Sequence, residues 1–240
     1  QEFVDIMTRV RKDLVKVVHG DPEKYTSVIF TGSGTIVQDV LVNSLVPEGK
    51  KILVVNNGAY AARMVEIAQY YNIDCVDIQS STTGLPDLAE VKKAIEEDKD
   101  IAVVAAVHHE TGTGVLNPVK EIGRIAHDND CIFIVDTIST YGLRPLDIEE
   151  ENIDFLMSSA QKGLAAMTGA SWTVGNIKAI EKSKTFPKRS YYCNLFMQYD
   201  FFNRVGEMHF TPPVQTIYAL EQALKEYFEE GELNRWDRLQ

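Results

Sequence analysis

A chain of 240 residues, 45% hydrophobic and 25% charged, has the composition of an ordinary globular protein and can bury a large core in one domain, or in one domain and part of another. A formal charge of −11 without a broad basic face argues against nucleic-acid and anionic-membrane partners, and a solvated loop accounts for the one basic cluster, Lys182 to Arg189. Cys75, Cys131 and Cys193 are far apart and lack CxxC spacing, which indicates neither a disulfide framework nor a zinc site and makes a reducing compartment, the cytoplasm, the simplest inference; no apolar run approaches the roughly 18 residues of a membrane span.

In chain order, Glu2 to Val18 carries apolar residues at Phe3, Ile6, Met7, Val10, Leu14, Val17 and Val18, a helical spacing with Arg and Lys on the other face. Asp21-Pro22 breaks the pattern, and Tyr25 to Phe30 reads as a strand. Thr31-Gly-Ser-Gly-Thr35 follows, then a helix over 36–45. A strand, a glycine-rich turn and a helix N-terminus make an anion site, because small residues let free N–H groups approach a phosphate; Ser33 and Thr35 add hydroxyl donors. The spacing is neither GxGxxG nor a P-loop, and a tight turn without a ligand fits it as well. Lys51 to Val55 is a buried strand opening onto Asn56-Asn-Gly-Ala-Tyr60 and a helix from about 61 to 71, where Tyr60 either offers a flat face to a ring or simply packs.

Ile73 to Ile78 is expected as a short strand and Asp87 to Glu97 as a helix. Ile101 to Val107 is a buried strand ending in His108-His-Glu-Thr-Gly-Thr-Gly114. Adjacent histidines on an extended chain point to opposite faces and lack the i, i+4 spacing of HExxH, which argues against a metal. Asn117-Pro118 begins a helix through His127. Cys131 to Val135 then reads as a parallel strand buried on both faces, ending in Asp136. Phe155 to Met157 leads into Ser158-Ser-Ala-Gln-Lys162, so a lysine arrives at the same kind of edge, where open α/β sheets bind ligands. Such a pair has a joint use. Pyridoxal phosphate (PLP) needs a lysine amine to hold its aldehyde and an acid on its pyridine nitrogen to keep the ring a strong electron sink. An exposed lysine and a helix-capping aspartate also fit the pair taken alone, so the other motifs decide. Beyond them, Ala170 to Val174 is expected as an antiparallel edge strand. Lys182 to Phe202 reads as an irregular aromatic segment covering a site or a subunit contact, His209-Phe-Thr-Pro-Pro213 as an extended turn, and Val214 to Glu229 as an amphipathic helix.

Taken together, the order of GSGT at 32–35, NNGAY at 56–60, HHETGTGVLNP at 108–118, VDTISTYG at 135–142, SSAQKG at 158–163 and HFTPPV at 209–214 resembles the fold-type I, class V aminotransferases, and among them most the 2-aminoethylphosphonate–pyruvate transaminases. The resemblance implies an α/β fold with a mostly parallel, seven-stranded-type sheet flanked by helices. It implies a PLP-binding large domain over 1–204, and a linker and helix over 205–240 leading to a small C-terminal domain that is largely missing. Lys162 would bind PLP and shuttle the proton between substrate and cofactor, and Asp136 would pair with the pyridinium nitrogen. Tyr60 would stack on the ring, while Ser33, Gly34 and Thr35 would hold the phosphate, aided by Gln161. Thr211 would reach the phosphate from the neighbouring subunit of a homodimer with shared sites. Gly112 stands where relatives carry a hydroxyl residue, which moves a hydrogen bond to the ring's phenolic oxygen to Thr111 or Thr113, or removes it.

The implied reaction takes the amino group from a small-molecule donor, 2-aminoethylphosphonate, to a 2-oxo acid acceptor, pyruvate, giving phosphonoacetaldehyde and alanine. The stretch after the lysine, GLAAMTGASW, departs from the phosphonate transaminases, which leaves a serine or alanine–glyoxylate type transaminase and a lyase as alternatives on the same fold. A noncatalytic phosphate-binding α/β module and a catalytically dead subunit partner are alternatives of other classes. The family's opening proline-glycine segment and the C-terminal arginine that binds the substrate carboxylate have no counterpart, so the chain is expected to be part of a longer protein.

Overall fold

The computed structural model describes residues 2–240. In chain order its first half comprises α1 (Glu2–Lys16), β1 (Tyr25–Thr31), α2 (Gly34–Leu45), β2 (Lys51–Asn56), α3 (Ala59–Tyr70), β3 (Cys75–Gln79), α4 (Leu88–Glu97) and β4 (Ile101–Val107). Then come β5 (His109–Glu110), β6 (Val115–Leu116), α5 (Val119–His127), β7 (Ile132–Asp136), β8 (Phe155–Ser159) and β9 (Ala170–Asn176). The helices α6 (Ile177–Ser183), α7 (Leu195–Val205), α8 (Val214–Glu230) and α9 (Glu232–Leu239) complete the chain.

The apolar runs become one seven-stranded sheet in the order β1-β9-β8-β7-β4-β2-β3. From β8 through β7, β4 and β2 to β3 every pairing is parallel; only β9 runs against its neighbours β1 and β8. Helices cover both faces, so the central strands lose their outward polar face: Val103 to Ala106 of β4 and Phe133 to Val135 of β7 are completely buried. The register sets Asp136 beside Val107 of β4 and Met157 of β8, which fixes its height at the carboxyl edge. The expected mostly parallel sheet is therefore present.

Two expectations need correction. Ala170 to Val174 is antiparallel, but it lies between β1 and β8 instead of at the edge. Its alternating serine and threonine look solvent-facing in the sequence; Ser171 Oγ donates to Gly32 O and Thr173 Oγ1 to Leu156 O, so both hydroxyls are satisfied inside. The segment 182–202 is not wholly irregular, because α7 starts within it. Asn194 caps this helix by accepting from Met197 N at 2.9 Å, and Leu195, Tyr199 and Phe202 bury one face at i, i+4 and i+7.

Both α2 and α3 begin two residues earlier than their periodicity suggests, which draws Gly34, Thr35 and Tyr60 into first helical turns. At the other end of the chain α8 packs on α1, with Phe3 against Tyr218 and Arg9 on Glu221 at 2.7 Å. Among the described residues no helix is long and apolar enough to cross a membrane.

Candidate active site

The carboxyl ends of the parallel strands deliver the polar residues. Asp136, at the end of β7, is buried; its Oδ1 accepts from Ile138 N at 2.9 Å and its Oδ2 from Gln38 Nε2 at 2.7 Å. Burial pushes this carboxyl up to about 6, against the pull of those two N–H donors; Glu110 adds repulsion and Arg63 attraction. No helix starts at Asp136, so it is not a helix cap. It is a buried acid held by two donors in a site that would welcome a cation.

Glu110 approaches from the β5–β6 hairpin. Its Oε1 accepts from Tyr60 N at 3.2 Å, while its Oε2 is buried without a partner. The side chain passes where a β-carbon of Gly58 would lie, 2.1 Å from Glu110 Cγ, so only glycine fits before α3. Tyr60 is half-buried in the first turn of α3, and the Arg63 guanidinium sits 5.0 Å from its ring centroid. Arg63 also donates to Thr35 Oγ1 at 3.1 Å, which joins the tyrosine to the glycine-rich turn.

That turn is tied to the lysine loop. Gly32 N donates to Gly169 O at 3.0 Å, and Ser159 Oγ lies 3.6 Å from where a β-carbon of Gly34 would be, with Ile138 Cδ1 closer still at 2.6 Å. The first N–H groups of α2, from Gly34 on, have no carbonyl of their own helix to bond, which leaves donors beside Ser33 and Thr35. Lys162 leaves β8 in this loop and is exposed. A β-carbon on the next residue, Gly163, would meet Tyr141 O at 2.0 Å, so the loop lies directly against the segment after Asp136. Arg235 of α9 fastens the same two segments by donating to Gly163 O and Gly142 O. Buried side-chain atoms without partners surround the edge: Gln38 Oε1, Glu110 Oε2, Ser159 Oγ and Gln161 Oε1.

The structure thus gathers Ser33, Gly34, Thr35, Tyr60, Asp136, Gln161 and Lys162 at one edge. Thr111 and Thr113 are exposed in the hairpin turn, with Thr113 Oγ1 directed at Glu110 O, 3.5 Å away. Thr211 is exposed as well; its carbonyl accepts from Thr31 Oγ1 at 3.2 Å, which places it next to the glycine-rich turn but outside the group around Asp136. His108 and His109 pair with separate hydroxyls, Thr140 Oγ1 at 3.0 Å and Ser139 Oγ at 3.1 Å, and burial lowers His108 to about 4, which keeps it neutral. A cavity of about 780 Å³ lined by Arg11, Lys16 and Tyr25 lies along α1, at the opposite end of the strands. Volume alone would mislead here; the partnerless polar atoms mark the site.

Sequence reasoning missed Gln38, Glu110, Arg63 and Arg235. Gln38 had a faint signal, a glutamine one turn after Gly34 in a helix whose buried residues are mostly apolar, although Asn43 and Ser44 are buried there as well. Arg63 and Arg235 had none, because helical arginines usually face solvent.

A profile described as Aminotransferase class-V matches residues 1–240. The chain belongs to the class V aminotransferases. It is 36% identical over 235 residues to the bifunctional phosphonoacetaldehyde hydrolase/aminoethylphosphonate transaminase of Clostridioides difficile, covering 98% of this chain and 37% of that protein. Against the 2-aminoethylphosphonate–pyruvate transaminase of Lysinibacillus sphaericus the identity is 34%, over 97% of this chain and 63% of the relative. The chain therefore spans less than two thirds of the length of these relatives. In three dimensions it matches the alanine–glyoxylate aminotransferase of Nostoc sp. with a TM-score of 0.90 at 27% identity, over 99% of this chain and 63% of that one. The ureidoglycine–glyoxylate aminotransferase of Bacillus subtilis, at a TM-score of 0.88 and 23% identity over 99% of this chain and 61% of that one, shares the fold.

Proposed function

We propose that this chain carries the cofactor-binding part of a PLP-dependent transaminase that moves the amino group of 2-aminoethylphosphonate to pyruvate, giving phosphonoacetaldehyde and alanine. The observation that carries the reading is the buried, doubly hydrogen-bonded Asp136 one strand away from the Lys162 loop. The relatives' names support this substrate: the aminoethylphosphonate enzymes are 34–36% identical over nearly the whole chain, whereas the glyoxylate enzymes resemble it at 23–27%.

The residues fit PLP. A buried carboxylate without a cationic partner suits a pyridinium N–H, which would bring its raised pKa down. The open N–H groups at the start of α2, with Ser33, Thr35 and the partnerless Gln161 and Ser159, suit a phosphate dianion. When bound, PLP supplies an electron sink that makes the substrate's α-hydrogen acidic. The chain does the rest. Asp136 would hold the ring nitrogen, Tyr60 would fix the ring plane, and the turn around Gly34 would fix the phosphate, which would set the reacting carbon in register with Lys162. Lys162 Nζ would hold the cofactor by its aldehyde carbon and, once released by the incoming amine, would carry the proton between the substrate's amine-bearing carbon and the cofactor. Thr111 and Thr113, both exposed on the hairpin, are the candidates for the hydrogen bond left open at Gly112. The exposed Thr211, next to Phe210 and its stacked partner Tyr192, suits a homodimer in which it reaches the neighbouring subunit's phosphate.

Borohydride treatment of the PLP-loaded protein, followed by mass spectrometry of the peptide spanning Lys162, tests the cofactor assignment: the PLP mass should appear on Lys162 and on no other lysine. Incubation with 2-aminoethylphosphonate should yield alanine from pyruvate much faster than glycine from glyoxylate. Label on a different lysine, or preference for glyoxylate, overturns the corresponding half of the reading.

A further inference from the structure

Gln38 is fully buried one helical turn after Gly34, on the face of α2 that looks at the segment after β7. Its Nε2 donates to Asp136 Oδ2 at 2.7 Å and to Tyr60 O at 3.2 Å. Both neighbours are acceptors, so the amide can face them only with its nitrogen, and its oxygen is left buried and partnerless. The neighbouring Val37 and Leu41 are buried and apolar, and an apolar side chain at this position would avoid that cost. One side chain thus joins the acid at the end of β7 to the first turn of α3, which carries the aromatic residue.

We propose that Gln38 is a positioning residue, which holds Asp136 as an aimed carboxylate and ties it to the backbone of Tyr60. The groups that face Asp136 are few: Gln38 from α2, Arg63 from α3, Glu110 from the hairpin, and the backbone N–H of Ile138. Of these, Glu110 favours the protonated acid, and the other three favour the carboxylate. Gln38 is the only one of them whose side chain bonds Asp136 directly. It also leaves a lone pair of Oδ2 and one of Oδ1 for a further donor, so it orients the acid without occupying it.

This role deepens the proposed function, yet its test does not need the cofactor. The carboxyl ¹³C signal of Asp136, assigned by its loss in Asp136→Asn, is followed with pH in the purified protein before PLP is added. Gln38→Leu keeps the volume and removes the donor, and should raise the Asp136 midpoint by about one pH unit. Gln38→Met likewise removes the donor while keeping a side chain of similar length, and should raise the midpoint about as far. The methionine variant carries the test where Gln38→Leu does not fold. A residue that only packs would lower the melting temperature and leave the midpoint where it is. Wild-type midpoints in the folded variants overturn the proposal. If the midpoint moves but the protein takes up no PLP, the positioning role stands and the transaminase reading falls; if PLP binds and no variant moves the midpoint, the reverse holds.

Discussion

At the amino ends of the strands charges meet their partners: Lys51 Nζ lies 2.7 Å from Asp98, Lys50 Nζ 2.8 Å from Asp100, and His127 Nε2 2.9 Å from Asp154. At the carboxyl ends the opposite holds, for Gln38 Oε1, Ser80 Oγ, Glu110 Oε2, Ser158 Oγ, Ser159 Oγ and Gln161 Oε1 are all buried without one. A buried polar atom left without any partner costs on the order of 1–3 kcal/mol, so this edge is one where a polar ligand would find groups to bond. One edge of the sheet is built for folding, the other for binding. The division follows from the parallel arrangement, which points the carboxyl ends of the parallel strands, and the N-termini of α2 and α3 that follow β1 and β2, the same way.

The sharpest way to separate the two edges is Lys162→Ala. The side chain is exposed and its removal leaves no cavity, so the melting temperature should stay at the wild-type value. The proposed turnover should fall by at least about 10⁴-fold, since both the attachment of the cofactor and the proton shuttle are lost. Alanine formation and a melting curve on the same preparation check both halves. Activity near wild type would remove the assignment of Lys162.

Asp136→Asn should move stability and function in opposite directions. A carboxyl raised to about 6 from its ordinary 3.8 binds its proton more tightly in the folded state, so the protein loses stability as pH rises from roughly 4 through 6. At pH 7.5 the ionised form therefore costs the cofactor-free protein up to roughly 3 kcal/mol, which asparagine avoids. Asp136→Asn should accordingly melt higher than wild type at pH 7.5, lose that advantage near pH 4, and bind PLP more weakly at every pH. A variant that melts lower at pH 7.5 would show that the two donors at Asp136 outweigh its burial.

The same contrast explains what could be read from the chain alone. Strands such as Ile101 to Val107 were legible because a sheet buried on both faces needs unbroken apolar runs, and Asp136 and Lys162 because each follows such a run. Gly58 and Gly163 stood in motifs, but their reason, the passage of Glu110 and the carbonyl of Tyr141, is a matter of contact between distant segments. The interior place of β9 is hidden in the sequence, because Ser171 and Thr173 alternate with apolar neighbours and their hydroxyls find carbonyl partners that only the folded sheet provides. α7 was hidden by its aromatics and by the basic run before it, although Asn194 and the 195, 199, 202 spacing announce it. Arg63 acts through contacts across elements, which no local pattern encodes, and the partners of Gln38, Asp136 and the carbonyl of Tyr60, are likewise distant in sequence.

The smallest expected effect belongs to the amino edge. Asp154 Oδ2 accepts from Phe133 N at 2.8 Å as well as from His127, so Asp154→Ala should leave a backbone N–H of β7 unpaired at a cost of about 1–2 kcal/mol. The hydrogen bond to Asp154 is also what holds the His127 pKa above its ordinary value, against partial burial. A raised histidine pKa stabilises the fold below about 6.5, and that contribution disappears as pH rises through the folded value. The penalty of Asp154→Ala should thus be larger at pH 6 than at pH 9, with PLP binding and the proposed turnover unchanged at both. Denaturant melts at the two pH values measure the difference. A drop in PLP affinity would mean that β7 transmits changes from its amino end to Asp136, and that the two edges are not independent.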